Sequence, residues 1–210
     1  EWPDLEVYLT SVTEQWAVAT LSGPNAGKIL QDAGIDFDLS PAEFPFMSMK
    51  TGHIGGLAAR IFRISFTGEL SYEINVAARH GLALWTRLMD AGKAHGITPY
   101  GTEAMHVLRA EKGFIIVGQE TDGSVTPHDL GMDWIVSKTK PDFIGKRALA
   151  RHTMEYDDRK QLVGLLCSDP STVIPEGAHA VLDPNQPLPM KMLGQVTSSY
   201  FSPNCGRSIA

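Results

Sequence analysis

The sequence predicts an α+β fold, on three observations. Strand-like runs alternate apolar and polar residues with period two. Short amphipathic helices join them, but antiparallel hairpins intervene, so the pattern is not that of a doubly wound parallel sheet. From about residue 160 onward the runs become short strands separated by Pro-rich turns, as in a small barrel or sandwich.

The elements follow in order. Strand-like segments cover residues 5–12 and 15–21. Ser22-Gly23-Pro24-Asn25 then opens a short helix that ends at Gly34, with Pro early and Gly just past the end. Residues 35–56 read as loop and close at Gly55-Gly56. A hairpin at 57–77 comes next; within it RISFTGELSYEI, residues 63–74, reads as two strands around Thr67-Gly68-Glu69. In the second strand Leu70, Tyr72, Ile74 and Val76 share one face, and Ser71, Glu73 and Asn75 the other. A helix over 79–95 is expected to bury Leu82, Trp85, Leu88 and Met89. Another runs from about 103 to 112 and stops at Gly113. Residues 121–142 are irregular, and GKRALARH is a short helix. RKQLVGLLCS, HAVL and GQVTSSYF are the later strands. A domain boundary is expected in the polar stretch EYDDRK, giving residues 1–157 and 158–210.

Composition narrows the function. A hydrophobic share of 43% over 210 residues supports one large or two modest cores. The net charge of −6 and the absence of long like-charge runs argue against nucleic acid or an anionic membrane surface as partner. No apolar run is long enough to span a bilayer. Cys167, inside an apolar run, reads as a buried small hydrophobe, and with Cys205 gives neither a disulfide framework nor a zinc site. A cytoplasmic setting is the expectation. Both ends read as cut, so the chain is expected to be a piece of a longer polypeptide.

Several motifs resolve into turns. The clusters Gly52–Gly56 and Gly118–Gly123 lack the Lys-Ser/Thr ending and the strand-to-helix setting of phosphate loops. His128 and Asp129 are adjacent and diverge on a helix, so no metal is expected; Asp129 reads as a turn carboxylate. No GxSxG occurs, and no catalytic residue is assigned. Three candidates remain: Glu73 on the polar strand face, Arg109 one turn beyond Met105, and Trp134 after a glycine turn. Their plain readings are, in order, a solvated carboxylate, a surface arginine paired with Glu103 or Glu111, and a core ring. Together they suit a flat heteroaromatic ligand with an acidic tail: carboxylate to ring N–H donors, ring for stacking, arginine for a bidentate tail contact.

The hairpin RISFTGELSYEI, the stretch GTEAMHVLRAEKGFIIVGQETDG and the run VTPHDLGMDWIVSKTKPDFIGKRAL closely resemble the folate-binding aminomethyltransferase family. Within it, PHDLGMDW and KPDFIGKRAL are most similar to the branch of heterotetrameric sarcosine oxidase alpha subunits. The resemblance implies an aminomethyltransferase-like fold followed by a truncated small β-barrel. It also implies tetrahydrofolate as ligand, with FAD, FMN and NAD elsewhere in a complex and the other oxidase subunits as partners. Carried over residue by residue, it gives folate-binding roles to Glu73, Arg109 and Trp134, and to Phe66 where the family has tyrosine. The family's catalytic aspartate would lie upstream of Glu1, and none of Asp32, Asp36 or Asp38 sits in matching context. The implied chemistry is capture, on tetrahydrofolate, of the one-carbon unit from oxidised sarcosine as 5,10-methylenetetrahydrofolate, with release of glycine. The chain by itself is expected to be inactive. The alternatives are a stand-alone or dimethylglycine-oxidase-type aminomethyltransferase and, in another class, a non-catalytic folate-binding sensor.

Overall fold

A computed structural model describes residues 4–151 and 158–210. The chain divides into two compact units, Glu1–Met105 and His106–Ala210. The boundary expected near residue 157 adjoins residues 152–157, outside the described residues; so does the end of GKRALARH.

The first unit is a four-stranded antiparallel sheet in the order β1-β4-β3-β2, made of β1 (Trp16–Ser22), β2 (Met49–Ile54), β3 (Leu57–Phe62) and β4 (Ser71–Ala77). Two helices, α1 (Ala26–Asp32) and α2 (Gly81–Gly92), add to its core, together with Leu39 and Phe44 from the segment before β2. That core contains Leu21, Ile54, Ile61, Tyr72, Ile74 and Val76 from the strands and Ile29, Leu30, Leu84 and Leu88 from the helices. Alternation along β4 is clean on the apolar face, where Tyr72, Ile74 and Val76 are buried.

Four sequence expectations change here. Residues 5–12 form no strand: Leu5, Val7, Tyr8 and Leu9 are exposed, and among the described residues no ladder satisfies their backbone. Residues 35–56 are not wholly loop, because β2 pairs with β3 along its full length. The glycines closing it are the turn itself: Gly55 and Gly56 have φ of 54° and 83° between the paired Ile54 and Leu57. Both central residues of a type I′ hairpin need positive φ. Finally, β3 ends at Phe62, so residues 63–70 are a connection rather than a strand and turn. On α2 the buried stripe is Leu84, Leu88 and Gly92; Leu82 is exposed and Trp85 half so. Gly92 is required there, since a Cβ would stand 2.5 Å from Ile97.

Helix α3 (Thr102–Glu111) crosses the division between the units and ends at Gly113, which has φ of 71°. The second unit continues with 3-10 turns at His128–Leu130 and Asp133–Ile135 and a short α4 (Lys146–Leu149). Two small antiparallel pairs follow: β5 (His179–Val181) with β6 (Met192–Gln195), and β7 (Tyr200–Ser202) with β8 (Arg207–Ile209). Among the described residues RKQLVGLLCS forms no strand and contributes an isolated bridge, Leu166 to Ile209. Its Leu165 and Leu166 are exposed, and Cys167 is half-buried rather than buried.

Candidate functional site

In the first unit, Glu73 sits mid-strand on the face away from the core, paired across with Thr20 of β1 and Phe62 of β3. It is half-buried. Among the described residues its carboxylate has no hydrogen bond or ion pair, although Arg60 lies on the same face of β3. That arginine is taken elsewhere: its guanidinium stacks 3.5 Å from the Trp16 ring centroid. Phe66 lies half-buried in the 63–70 connection. The hydroxyls on either side of it, Ser65 Oγ and Thr67 Oγ1, are buried with no partner among the described residues. Orphaned buried hydroxyls are uncommon and costly. Beside β1 runs a cavity of about 560 Å³ whose wall includes Thr20, Ser22, Trp85, Leu88, Met89 and Tyr100. Glu73 is one strand away from it and not part of its wall.

Three aspartates of this unit, Asp32, Asp36 and Asp38, are engaged by neighbouring groups. Asp36 accepts from the His53 backbone N–H at 2.8 Å and contacts its Nδ1 at 2.9 Å. These contacts hold its carboxyl below the usual range. Asp38 accepts from the Ser40 N–H and Oγ, with the same effect. Asp32 lies 2.7 Å from His95 Nε2.

In the second unit, Arg109 is buried rather than exposed, and its partner is neither Glu103 nor Glu111. Its Nη1 lies 3.1 Å from Glu120 Oε1 and donates to the Phe114 carbonyl at 3.1 Å. Its Nη2 donates to Ser198 Oγ at 2.5 Å and to the Tyr200 hydroxyl at 3.3 Å. Glu120 accepts in turn from the Ile116 N–H at 2.6 Å and from the Ser198 hydroxyl. Burial pushes the Glu120 carboxyl up, but the Ser198, Ile116 and Arg109 contacts outweigh it and leave the group below its ordinary value. Gln119 Nε2 donates to Ser198 Oγ at 3.0 Å and to the Thr197 carbonyl at 2.8 Å. Arg109, Glu120, Thr197 and Ser198 are the polar part of the wall of a cavity of about 280 Å³, otherwise lined by groups such as Phe114, Leu162 and Ile209.

Trp134 is 77% exposed in the 133–135 turn, so the core reading of this ring fails. It follows Gly131, whose φ of 66° ends the preceding turn. His128 contacts Asp133 at the surface rather than pointing with Asp129. Asp129 itself is buried and is indeed a turn carboxylate: it accepts from the Thr126 N–H at 2.8 Å and its hydroxyl at 2.9 Å. It also takes Arg159 Nε at 2.8 Å, and its carboxyl is lowered to about 2 with Arg159 as the main cause. Among the described residues no three His, Cys, Asp or Glu converge as metal ligands, and no helix is long and apolar enough to cross a membrane.

Sequence reasoning missed Glu120, Ser198, Ser65, Thr67 and Arg159. Glu120 stands 11 residues past Arg109 beyond a helix-ending glycine, outside any helical spacing. Ser198 lies 89 residues away and carries no local signal at all.

Comparison with known proteins bears on both units. The chain is 50% identical over 99% of its length to sarcosine oxidase subunit alpha of Corynebacterium sp. (strain P-1), covering 22% of that protein. It is 44% identical over its whole length to the corresponding subunit of Rhizobium meliloti (strain 1021), covering 21% of it. The chain thus spans about a fifth of the length of these relatives. Among solved structures, glycine cleavage system aminomethyltransferase T from Bartonella henselae matches with a TM-score of 0.75 and 27% identity, over 92% of this chain and 50% of that one. Residues 1–140 match the GCVT N-terminal domain, and residues 160–210 match the glycine cleavage T-protein C-terminal barrel domain. With both domain patterns present in order on an α+β framework of antiparallel sheets, the chain belongs to the glycine cleavage T-protein family.

Proposed function

We propose that this chain is a tetrahydrofolate-binding region of a sarcosine oxidase alpha subunit, with residues 1–157 forming the folate-binding part and 158–210 the barrel. The observation that carries the reading is Glu73: a half-buried strand carboxylate with no protein partner among the described residues. It is followed closely by the orphaned hydroxyls of Ser65 and Thr67 around Phe66. A strand carboxylate left unsatisfied in this way fits a flat, donor-rich ring system. The 44–50% identity to sarcosine oxidase alpha subunits favours that branch over a stand-alone aminomethyltransferase.

Bound here, a reduced folate supplies two nitrogens that take up the one-carbon unit of the imine left by sarcosine oxidation, giving 5,10-methylenetetrahydrofolate and glycine. The chain's own residues position and exclude. Glu73 accepts hydrogen bonds from the N–H donors of the pterin and fixes its orientation; it moves no proton. Phe66 offers a stacking face without the hydroxyl of a tyrosine. Arg109 and Trp134, in the second unit, are the other two residues to which the family likeness gives folate-binding roles. Holding acceptor and imine together favours capture over hydrolysis to formaldehyde, because confinement raises effective concentration. The oxidation, with its FAD, FMN and NAD, and the remaining subunits lie outside this chain in the same reading.

Calorimetric titration with tetrahydrofolate tests it. Replacing Glu73→Gln keeps shape and removes the charge, and should weaken binding by about ten-fold, the scale of a charge-assisted hydrogen bond. Unchanged affinity overturns the role of Glu73.

A further inference from the structure

The outward face of the first unit's sheet carries a second unengaged charge besides Glu73. Arg60 of β3 shares that face and pairs across with Asn75 of β4. Its guanidinium lies 3.5 Å from the Trp16 ring centroid. Trp16 belongs to β1 and pairs with Ala77, so the arginine reaches across β4 where the intervening side chain is small. A guanidinium stacked flat on a ring keeps its N–H donors in its own plane, so the stack uses none of them. Nε is buried, whereas Nη1 and Nη2 are not, and among the described residues neither has a hydrogen bond or an ion pair. The ring thus fixes the plane of a forked donor pair and leaves the fork open.

Ala77, level with Trp16, stands four residues past Glu73 on β4, about 13 Å at the rise of a strand. An acceptor and a cation therefore mark two ends of one face, with the uncharged Asn75, Val18 and Thr20 between them. The two charges form no ion pair with each other. We propose that Arg60 receives the carboxylate of the small amino acid that carries the one-carbon unit, and so selects the donor. This rests on the folate reading and deepens it. With the amino-pyrimidine edge of the pterin on Glu73, the opposite side of the ring system extends toward Trp16. A hydrogen bond, two fused rings and the few bonds of an imino acid fill the span end to end. An uncompensated guanidinium favours an anion over a neutral acceptor, and its planar fork matches a carboxylate with two parallel N–H bonds. Because the ring already holds that plane, little side-chain freedom is lost on binding. Glycine, the product, carries the same carboxylate and is a stable probe.

The experiment measures glycine and glycinamide binding by ligand-observed NMR, on the full chain saturated with tetrahydrofolate and on its Arg60→Gln variant. Calorimetry gives the affinity of each chain for tetrahydrofolate itself, and thermal melts check folding. If Arg60 receives the carboxylate, the parent binds glycine and not glycinamide. Arg60→Gln then weakens glycine by about ten-fold and leaves tetrahydrofolate affinity unchanged. Should the variant not fold, the comparison of glycine with glycinamide on the parent still decides. No glycine binding by the parent, equal binding of both probes, or unchanged glycine affinity in Arg60→Gln overturns the inference while tetrahydrofolate binding stands. A folded variant that loses tetrahydrofolate along with glycine overturns it too, since Arg60 then holds the folate rather than the donor. A parent chain that does not bind tetrahydrofolate removes the folate reading itself, and this inference with it.

Discussion

Glu73 and Asp129 are both carboxylates on short-range scaffolds, and their surroundings send them to different work. Asp129 is fully engaged: two contacts from Thr126 and the Arg159 guanidinium hold it ionised, with its carboxyl lowered to about 2. A carboxyl whose folded pKa lies below its unfolded value adds stability that is present above the unfolded value, near 3.8, and is lost as pH falls toward the folded one. Asp129→Asn should therefore unfold at lower temperature than the parent at neutral pH, and the gap should close between about pH 4 and pH 2. Thermal melts across that range check it; a gap independent of pH would show that the ion pair is not what Asp129 contributes. Glu73, with no such partners among the described residues, has its hydrogen-bonding capacity left for something else. Its direction was legible in the sequence because alternation in a strand has period two and Tyr72, Ile74 and Val76 fix the phase. The setting of Arg109 was not legible. Helical spacing pointed to Glu103 and Glu111, while the real partners lie beyond the helix at Glu120 and in the distant 198–200 segment.

Elements were readable where local chemistry decides them. The helix between Pro24 and Gly34, the stop at Gly113 and the apolar face of β4 all follow from capping and periodicity. The β2–β3 hairpin was readable only as a glycine-rich turn, since β2 (MKTGHI) carries neither strict alternation nor a β-branched run, and its pairing comes from β3. Gly55 binds that hairpin to the helix layer: its φ is 54°, and a Cβ would fall 2.0 Å from the Arg87 guanidinium carbon. Gly55→Ala should cost roughly 1–3 kcal/mol, from left-handed strain and the displaced arginine, whereas Gly56→Ala meets open space and carries the backbone strain alone. Chemical denaturation of the two variants checks the order; equal losses would mean that the Arg87 contact is immaterial. Residues 5–12 show the opposite limit. Their composition favours a strand, but a strand needs a partner for its N–H and C=O groups, and among the described residues none pairs with them.

At the scale of the molecule, the fold class and the change toward β-structure in the last 50 residues were legible, because both rest on element type and order rather than on distant contacts. The division at Met105–His106 was not, since it falls inside a continuous helix with no change in composition. Family membership covers both units, and the chain spans about a fifth of its sarcosine oxidase relatives' length. The central claim is that the outward face of β4, with the connection before it, holds a pterin. A crystal structure of the chain with 5-formyltetrahydrofolate tests that most directly. The account predicts the pterin beside Phe66 with its ring N–H groups within about 3 Å of the Glu73 carboxylate. A pterin bound elsewhere, with Glu73 still facing no ligand, would contradict it.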